Sequence, residues 1–177
     1  EAGYDVVFVD VDTALIEALN SAGHYTLRLA GLAGVTDLSI GPVRGVDGRD
    51  AAAVMMEVAR ASLVATAVGA RALSAVARSM AGGLSLRWRE GRSEALNVIL
   101  CENLHDAPEQ MRRYVTDALP EAQRTLLQER VGFVPAVIAR MSPAPTPEQR
   151  QADPTFIVAE PYKVLPVDRE AFALKVT

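Results

Sequence analysis

The chain has 177 residues, of which 50% are hydrophobic and 23% charged, an ordinary globular composition for one domain or slightly more. Its formal net charge of -4 and pI near 5.2 exclude nucleic acid as the main partner, because neutralising phosphates needs a basic surface. No run approaches the ~20 apolar residues that span a bilayer, the lone Cys101 cannot form an internal disulfide, and Glu1-Ala2-Gly3-Tyr4 lacks the charged-then-apolar pattern of a secretory leader. The expectation is a cytoplasmic protein with no membrane partner, and no oligomeric state follows. The basic residues are 16 Arg against 2 Lys, scattered along the chain, which reads as coding bias and not as a phosphate-binding patch.

Asp5-Val6-Val7-Phe8-Val9-Asp10 is short, continuous and β-branched, the pattern of a strand buried on both faces of a parallel sheet. Asp12 stands as an N-cap for a helix carrying Leu15, Leu19 and Ala22, which Gly23 ends. From Tyr25 the period falls to two, Gly31 and Gly34 bracket a turn, and Asp37 to Ile40 alternates again, which predicts an antiparallel hairpin. A helix follows from Asp50 to Ala61, then a second buried strand from Leu63 to Val68 stopped by Gly69, and a helix from Arg71 to Met80. Residues 82–94 read as a loop, and Leu96 to Cys101 as a third buried strand ending at Glu102-Asn103. Asp106 with Glu109 forms a capping-box-like start for a helix reaching Leu119, and Pro120 opens another that ends near Arg130. Phe133 to Met141 reads as a strand, Ser142 to Pro147 as a proline-rich linker, and Phe156 to Glu160 as a last strand.

Strands separated by helices predict an α/β fold, a Rossmann-type doubly wound, mainly parallel sheet with an antiparallel hairpin insertion, in which ligands sit beyond the carboxyl ends of the strands. Those ends are Asp10, Thr66-Ala67-Val68-Gly69 and Cys101-Glu102-Asn103. An acid ending a buried strand accepts hydrogen bonds from an adenosine ribose and repels a 2'-phosphate, so Asp10 favours NAD over NADP. Such an acid stands ~20 residues after a glycine-rich loop, yet Asp10 has nine residues before it and no GxGxxG occurs. A competing reading takes Asp10 and Asp12 as the nucleophile and acid/base of a haloacid-dehalogenase-like magnesium-dependent phosphatase. Against it, Ala14 stands where that motif has threonine, and no later acid pair supplies a magnesium site. His24 and His105 form no metal pair, so no metal is expected, and His105 is an outside candidate for a site residue. Cys101, Met55-Met56 and Trp88 read as packing residues.

Phe8-Val9-Asp10-Val11 with Ala18-Leu19-Asn20, Tyr25, Thr66-Ala67-Val68-Gly69, Leu96-Asn97-Val98-Ile99, Cys101-Glu102-Asn103 and Val131-Gly132-Phe133-Val134 together resemble the mannitol-1-phosphate 5-dehydrogenases, within the polyol-specific long-chain dehydrogenases. The resemblance runs over nearly the whole chain. It implies NAD as cofactor, a sugar or polyol phosphate as partner, interconversion of mannitol 1-phosphate and fructose 6-phosphate, and no catalytic metal. It also implies that Asp10, with Val11, binds the adenosine ribose, that Thr66, Ala67, Val68 and Gly69 line the cofactor, and that Asn103 helps polarise the reacting carbonyl. An amide aimed at an oxygen that gains negative charge stabilises the transition state by about 3 kcal/mol in comparable sites.

Two departures stand out. Ile138-Ala139-Arg140 replaces the family's Val-Asp-Arg, so Ala139 stands where an acid lies near the polyol, and neither Lys163 nor Lys175 has the context of the family's catalytic lysine. In the expected strand order 3-2-1-4-5-6, strand 1 lies between the Asp10 strand and the Leu63 strand and precedes residue 1. Without it each neighbour leaves unpaired backbone groups at ~1 to 3 kcal/mol per buried group. The expectation is therefore a fragment that does not itself catalyse hydride transfer. Residues 1–141 would be a dinucleotide domain lacking its first strand and glycine loop, and residues 142–177 a linker and strand leading to an absent helical catalytic domain. The non-catalytic alternative is a dinucleotide-binding module that has lost the chemistry.

Overall fold

The computed structural model describes residues 3–102 and 104–173. In chain order the elements are β1 (Val6–Asp10), α1 (Thr13–Ala22), β2 (Tyr25–Gly31), β3 (Gly34–Ile40), β4 (Val43–Asp47), α2 (Ala51–Arg60), β5 (Leu63–Thr66), α3 (Leu73–Arg89), β6 (Leu96–Leu100), α4 (Ala107–Ala118), α5 (Arg124–Arg130), β7 (Val131–Pro135), α6 (Pro147–Ala152) and β8 (Ile157–Ala159), with 3-10 turns at Glu121–Gln123 and Arg169–Ala171. They fall into two units, Glu1–Asp50 with Ala139–Val164 and Ala51–Ile138 with Leu165–Thr177.

In the first unit β1 leads into α1 through Asp12, whose carboxylate accepts from the amides of Ala14 and Leu15 at 3.1 and 3.2 Å. Two of the otherwise orphaned N–H groups of the first helical turn are satisfied in this way. Gly23, left-handed at φ 68°, closes the helix by donating to Leu19 O. The hairpin forms as the alternation predicts, with β2 antiparallel to β3 from Tyr25↔Ile40 to Gly31↔Gly34, and β8 joins the other edge of β2 in parallel. Arg28 and Asp37 face each other across the hairpin in a bidentate pair at 2.7 and 2.6 Å.

β4 is absent from the sequence reading. Val43-Arg44-Gly45-Val46-Asp47 carries no continuous apolar run, yet it pairs parallel to β1 from Val6↔Val43 to Asp10↔Asp47. Its far edge is completed by one side chain: Asn20 on α1 donates to Gly45 O at 3.0 Å and accepts from Gly45 N at 2.8 Å, which satisfies a strand's donor and acceptor without a further strand. Among the described residues β1 pairs with β4 alone, so Val6, Phe8 and Val9 are exposed rather than buried on both faces as expected.

The second unit is a parallel sheet in the order β5-β6-β7. Its core joins Leu96, Val98 and Leu100 of β6 and Phe133 of β7 to Leu73, Met80 and Leu84 of α3 and Met111 and Val115 of α4. Here α3 corrects the sequence reading, since it runs unbroken through Gly82 and Gly83 to Arg89, where a loop was expected. The reason is close packing of α2. A Cβ on Gly83 would lie 2.5 Å from Val58 Cβ and 2.9 Å from Met55 O, so the glycines mark a contact surface inside a helix and not a break. Arg87, nearly fully buried on the same helix, donates to Ala59 O and Ala61 O at 2.9 and 3.0 Å and thereby terminates α2.

Smaller differences follow local chemistry. β5 stops at Thr66 and β7 at Pro135, each earlier than its apolar run suggests, because pairing with β6 ends at Leu100. The proline-rich segment holds α6, started by Thr146 and Gln149 in a reciprocal capping box. Asp106 makes no side-chain cap to the α4 backbone and instead accepts from Gln110 Nε2 at 2.9 Å.

The α2–α3 packing gives a test. Replacing Gly83 by Ala adds up to about 1 kcal/mol of helix propensity. The overlap with a backbone carbonyl and a branched Cβ costs about 1–3 kcal/mol. The Gly83→Ala protein should therefore melt lower by up to several degrees, at roughly 2–4 °C per kcal/mol, and a melting temperature above that of the unaltered protein contradicts this packing.

Candidate functional site

The carboxyl ends of the parallel strands carry most of the residues singled out from the sequence. In the first unit, β1 ends at Asp10, whose Oδ1 accepts from Asp12 N at 2.9 Å while the residue as a whole stays exposed. One oxygen thus fixes the orientation of the carboxylate, and the group can still accept from a ligand. Val11, 66% exposed, follows it. Gly48 N donates to Asp10 O at 2.8 Å, so the turn after β4 is tied to the end of β1. Asp12 is engaged with the α1 N-terminus, as described above, which agrees with its reading as a cap.

In the second unit the chain leaves β5 at Thr66 and turns through Ala67, Val68 and Gly69 before α3. This loop is fastened by Glu102, at the end of the neighbouring β6. Its two carboxylate oxygens accept from Val68 N at 2.9 Å and from Gly69 N at 2.8 Å, and Glu102 itself is 8% exposed. Each hydrogen bond to an ionised acceptor contributes about 1.5–3 kcal/mol. Gly69 adopts φ 79°, and a Cβ there would meet no atom within 4 Å, so backbone conformation and not space demands glycine. Thr66 is buried; its backbone oxygen accepts from Cys101 N at 2.8 Å, and its hydroxyl has no hydrogen-bond partner among the described residues.

The sequence reading placed Thr66 to Gly69 at a strand end but assigned nothing to Glu102. The available signal was a charged side chain just beyond a mainly apolar strand, a position where an acid is either solvated or holding backbone amides. Asp47 and Arg49 were missed with β4 itself. Arg49 donates from Nε and Nη2 to the Asp47 carboxylate at 3.0 and 2.9 Å, and its own backbone N–H donates to Asp47 Oδ1 at 2.9 Å. The Arg49 guanidinium holds the Asp47 carboxyl below the usual carboxylate range.

Asn103 and Lys175 lie outside the described residues. His24 Nδ1 lies 2.9 Å from Ala22 O, and His105 is exposed in the turn before α4. Burial and the neighbouring Glu102 charge push the Cys101 thiol up, which keeps it protonated and unreactive. Met55 packs against Gly82 and Trp88 against the core, whereas Met56 is exposed. Ala139 is exposed, and next to it Arg140 donates to Glu160 O at 2.8 Å. Among the described residues no three His, Cys, Asp or Glu side chains converge as metal ligands, and no helix is long and apolar enough to cross a membrane.

Comparison with known proteins places this geometry. The model of the mannitol dehydrogenase Rossmann domain matches residues 1–176. Mannitol-1-phosphate 5-dehydrogenase of Bacillus licheniformis is 36% identical over 99% of this chain and 45% of its own length. The enzyme of the same name from Lactiplantibacillus plantarum is 32% identical over 94% of this chain and 42% of its own. The chain therefore spans less than half the length of these relatives. Among solved structures, Pseudomonas fluorescens mannitol 2-dehydrogenase in ternary complex with NAD and D-mannitol superposes with a TM-score of 0.76 at 18% identity, over 94% of this chain and 43% of that one. A D-sorbitol dehydrogenase in substrate-free form gives the same TM-score at 16% identity, over 94% of this chain and 44% of that one. These likenesses agree with the Rossmann-type fold read from the strand order and the strand ends, and with the match over nearly all of its length this chain belongs to the mannitol dehydrogenase Rossmann-domain family.

Proposed function

We propose that this chain is the cofactor-binding portion of an NAD-dependent oxidoreductase that interconverts mannitol 1-phosphate and fructose 6-phosphate. The observation that carries the reading is the Asp10 carboxylate, exposed at the carboxyl end of a parallel strand and oriented by Asp12 N. A carboxylate so placed accepts from the adenosine ribose hydroxyls and disfavours a 2'-phosphate. The names of the relatives from Bacillus licheniformis and Lactiplantibacillus plantarum support mannitol 1-phosphate as substrate, and the NAD in the Pseudomonas fluorescens complex supports the cofactor.

The residues fit such a group. In the second unit, the turn of Thr66, Ala67, Val68 and Gly69 keeps its shape without a ligand because Glu102 holds two of its amides, and the unpartnered Thr66 hydroxyl beneath it has spare hydrogen-bonding capacity. Thr66 to Gly69 line the cofactor, Val11 flanks the ribose, and Asn103, by its place after Glu102 in the sequence, donates to the carbonyl oxygen of the sugar. The nicotinamide, when bound, supplies the hydride acceptor or donor. Residues 1–141 form the dinucleotide domain, and residues 142–177 lead toward a helical domain that contributes the proton-transferring lysine. This reading includes a cytoplasmic location and a sugar or polyol phosphate as the small-molecule partner. A second reading, a dinucleotide-binding module without turnover, has Ala139 in its favour, since the family's acid near the polyol is missing there.

Three outcomes are expected. Asp10→Asn should weaken NADH binding severalfold and narrow the gap between NADH and NADPH in a calorimetric titration; unchanged affinities for both remove Asp10 from the site. Glu102→Ala strips the acceptor from the amides of Val68 and Gly69, whose hydrogen bonds are part-buried, at up to about 1–3 kcal/mol each. It should lower both melting temperature and NADH affinity, with Glu102→Gln, which keeps one acceptor, falling between. Equal affinity in all three proteins would show that the loop does not line the cofactor. With fructose 6-phosphate the whole protein should oxidise NADH, and Asn103→Ala should lower kcat about a hundredfold while leaving NADH affinity intact; NADH binding without turnover favours the second reading.

A further inference from the structure

The ribose acid does not stand alone at its strand end. Asp10 and Asp47 are register partners at the carboxyl ends of β1 and β4, ~4.8 Å apart for neighbouring strands. Gly48 N donates to Asp10 O at 2.8 Å and carries the turn across the end of β1. The next residue, Arg49, is 61% exposed in its side chain and is held by the Asp47 carboxylate in a two-point pair at 3.0 and 2.9 Å. A guanidinium beside the ribose acid is the group that dinucleotide folds use to accept a 2'-phosphate, through the same planar fork that here grips a carboxylate. The Nε–Nη2 edge cannot serve both at once. Because Asp47 and Arg49 are two residues apart in one tight turn, their pair forms without closing a loop, and a phosphate must displace it.

We infer that Asp47 is a specificity-determining residue of this chain: it holds the Nε–Nη2 edge of Arg49 at the strand end where Asp10 also stands, so that a 2'-phosphate arriving there meets two carboxylates and a guanidinium already turned toward one of them. The inference rests on the dinucleotide reading given above and goes beyond it, since Asp10 alone then does not set the preference for NAD. Asp47→Asn is the informative variant. The asparagine oxygen still accepts from Arg49 N, which at present donates to Asp47 Oδ1 at 2.9 Å, so the turn is kept while the charge is lost.

The experiment is a calorimetric titration of the protein with NADH and, separately, NADPH, for the unaltered chain, Asp47→Asn, and Asp47→Asn combined with Arg49→Leu, each checked for an unchanged circular dichroism spectrum. The expected result is a rise of about tenfold in NADPH affinity relative to NADH for Asp47→Asn, the scale of one additional charge-assisted hydrogen bond to the phosphate. That rise should be lost in the double variant. A ratio unchanged within twofold in Asp47→Asn, with NADH still bound, overturns this inference and leaves the dinucleotide reading standing. A rise that persists without Arg49 also overturns it, because bulk charge and not the released guanidinium would be responsible. If the unaltered chain binds neither dinucleotide, the reading on which the inference rests fails, and the inference with it.

Discussion

Parallel pairing is the constraint from which the rest of this molecule follows. When strands run in one direction, their last residues come side by side, and whatever polar groups end the apolar runs are gathered there with no further cost in chain ordering. The register Asp10↔Asp47 gathers two carboxylates at one such end, and the register Thr66↔Leu100 puts the loop after β5 within reach of Glu102 two residues beyond. Neither grouping is visible as a local motif. Both follow once β1 lies beside β4 and β5 beside β6.

The helices keep those pairings in place by two different devices. Around β6, helix α3 approaches α2 so closely that only glycine fits at position 83, and the buried Arg87 ties off the end of α2. At β4 polar groups act beside a small apolar contact: Ile16 packs on Gly45, Asn20 closes the outer edge through the same glycine, and Asp12 holds α1 to the end of β1. A large buried core thus supports the Glu102 loop, whereas the Asp10 end combines a few buried side chains, Ile16, Leu19 and Val43, with hydrogen bonds at the surface. The exposed Val6, Phe8 and Val9 belong to this second, thinner support.

Much of the fold was legible in the residues. Asp12 and Gly23 announced both ends of α1, the switch to period two announced the hairpin, and the mainly apolar run Leu96 to Leu100 announced the central strand of its sheet. What escaped did so for physical reasons. β4 reads Val-Arg-Gly-Val-Asp because its one open edge is completed by an asparagine and its glycine must admit Ile16, so it never shows a strand's apolar pattern. Gly82-Gly83 signals a loop when seen alone and a tight helix contact when α2 lies against it. Of the candidate site, Asp10 and the Thr66 to Gly69 turn were proposed from strand ends and from family resemblance. Glu102, Asp47 and Arg49 were not, because their partners are backbone amides and side chains that only the folded register brings near.

The central claim is that the end of β1 recognises an adenosine ribose through Asp10. A crystal structure of the protein with NADH tests it most directly. The account predicts the ribose 2'- and 3'-hydroxyls within hydrogen-bond distance of the Asp10 carboxylate. A dinucleotide bound with its ribose elsewhere, or Asp10 facing only solvent in a complex that contains NADH, would contradict it.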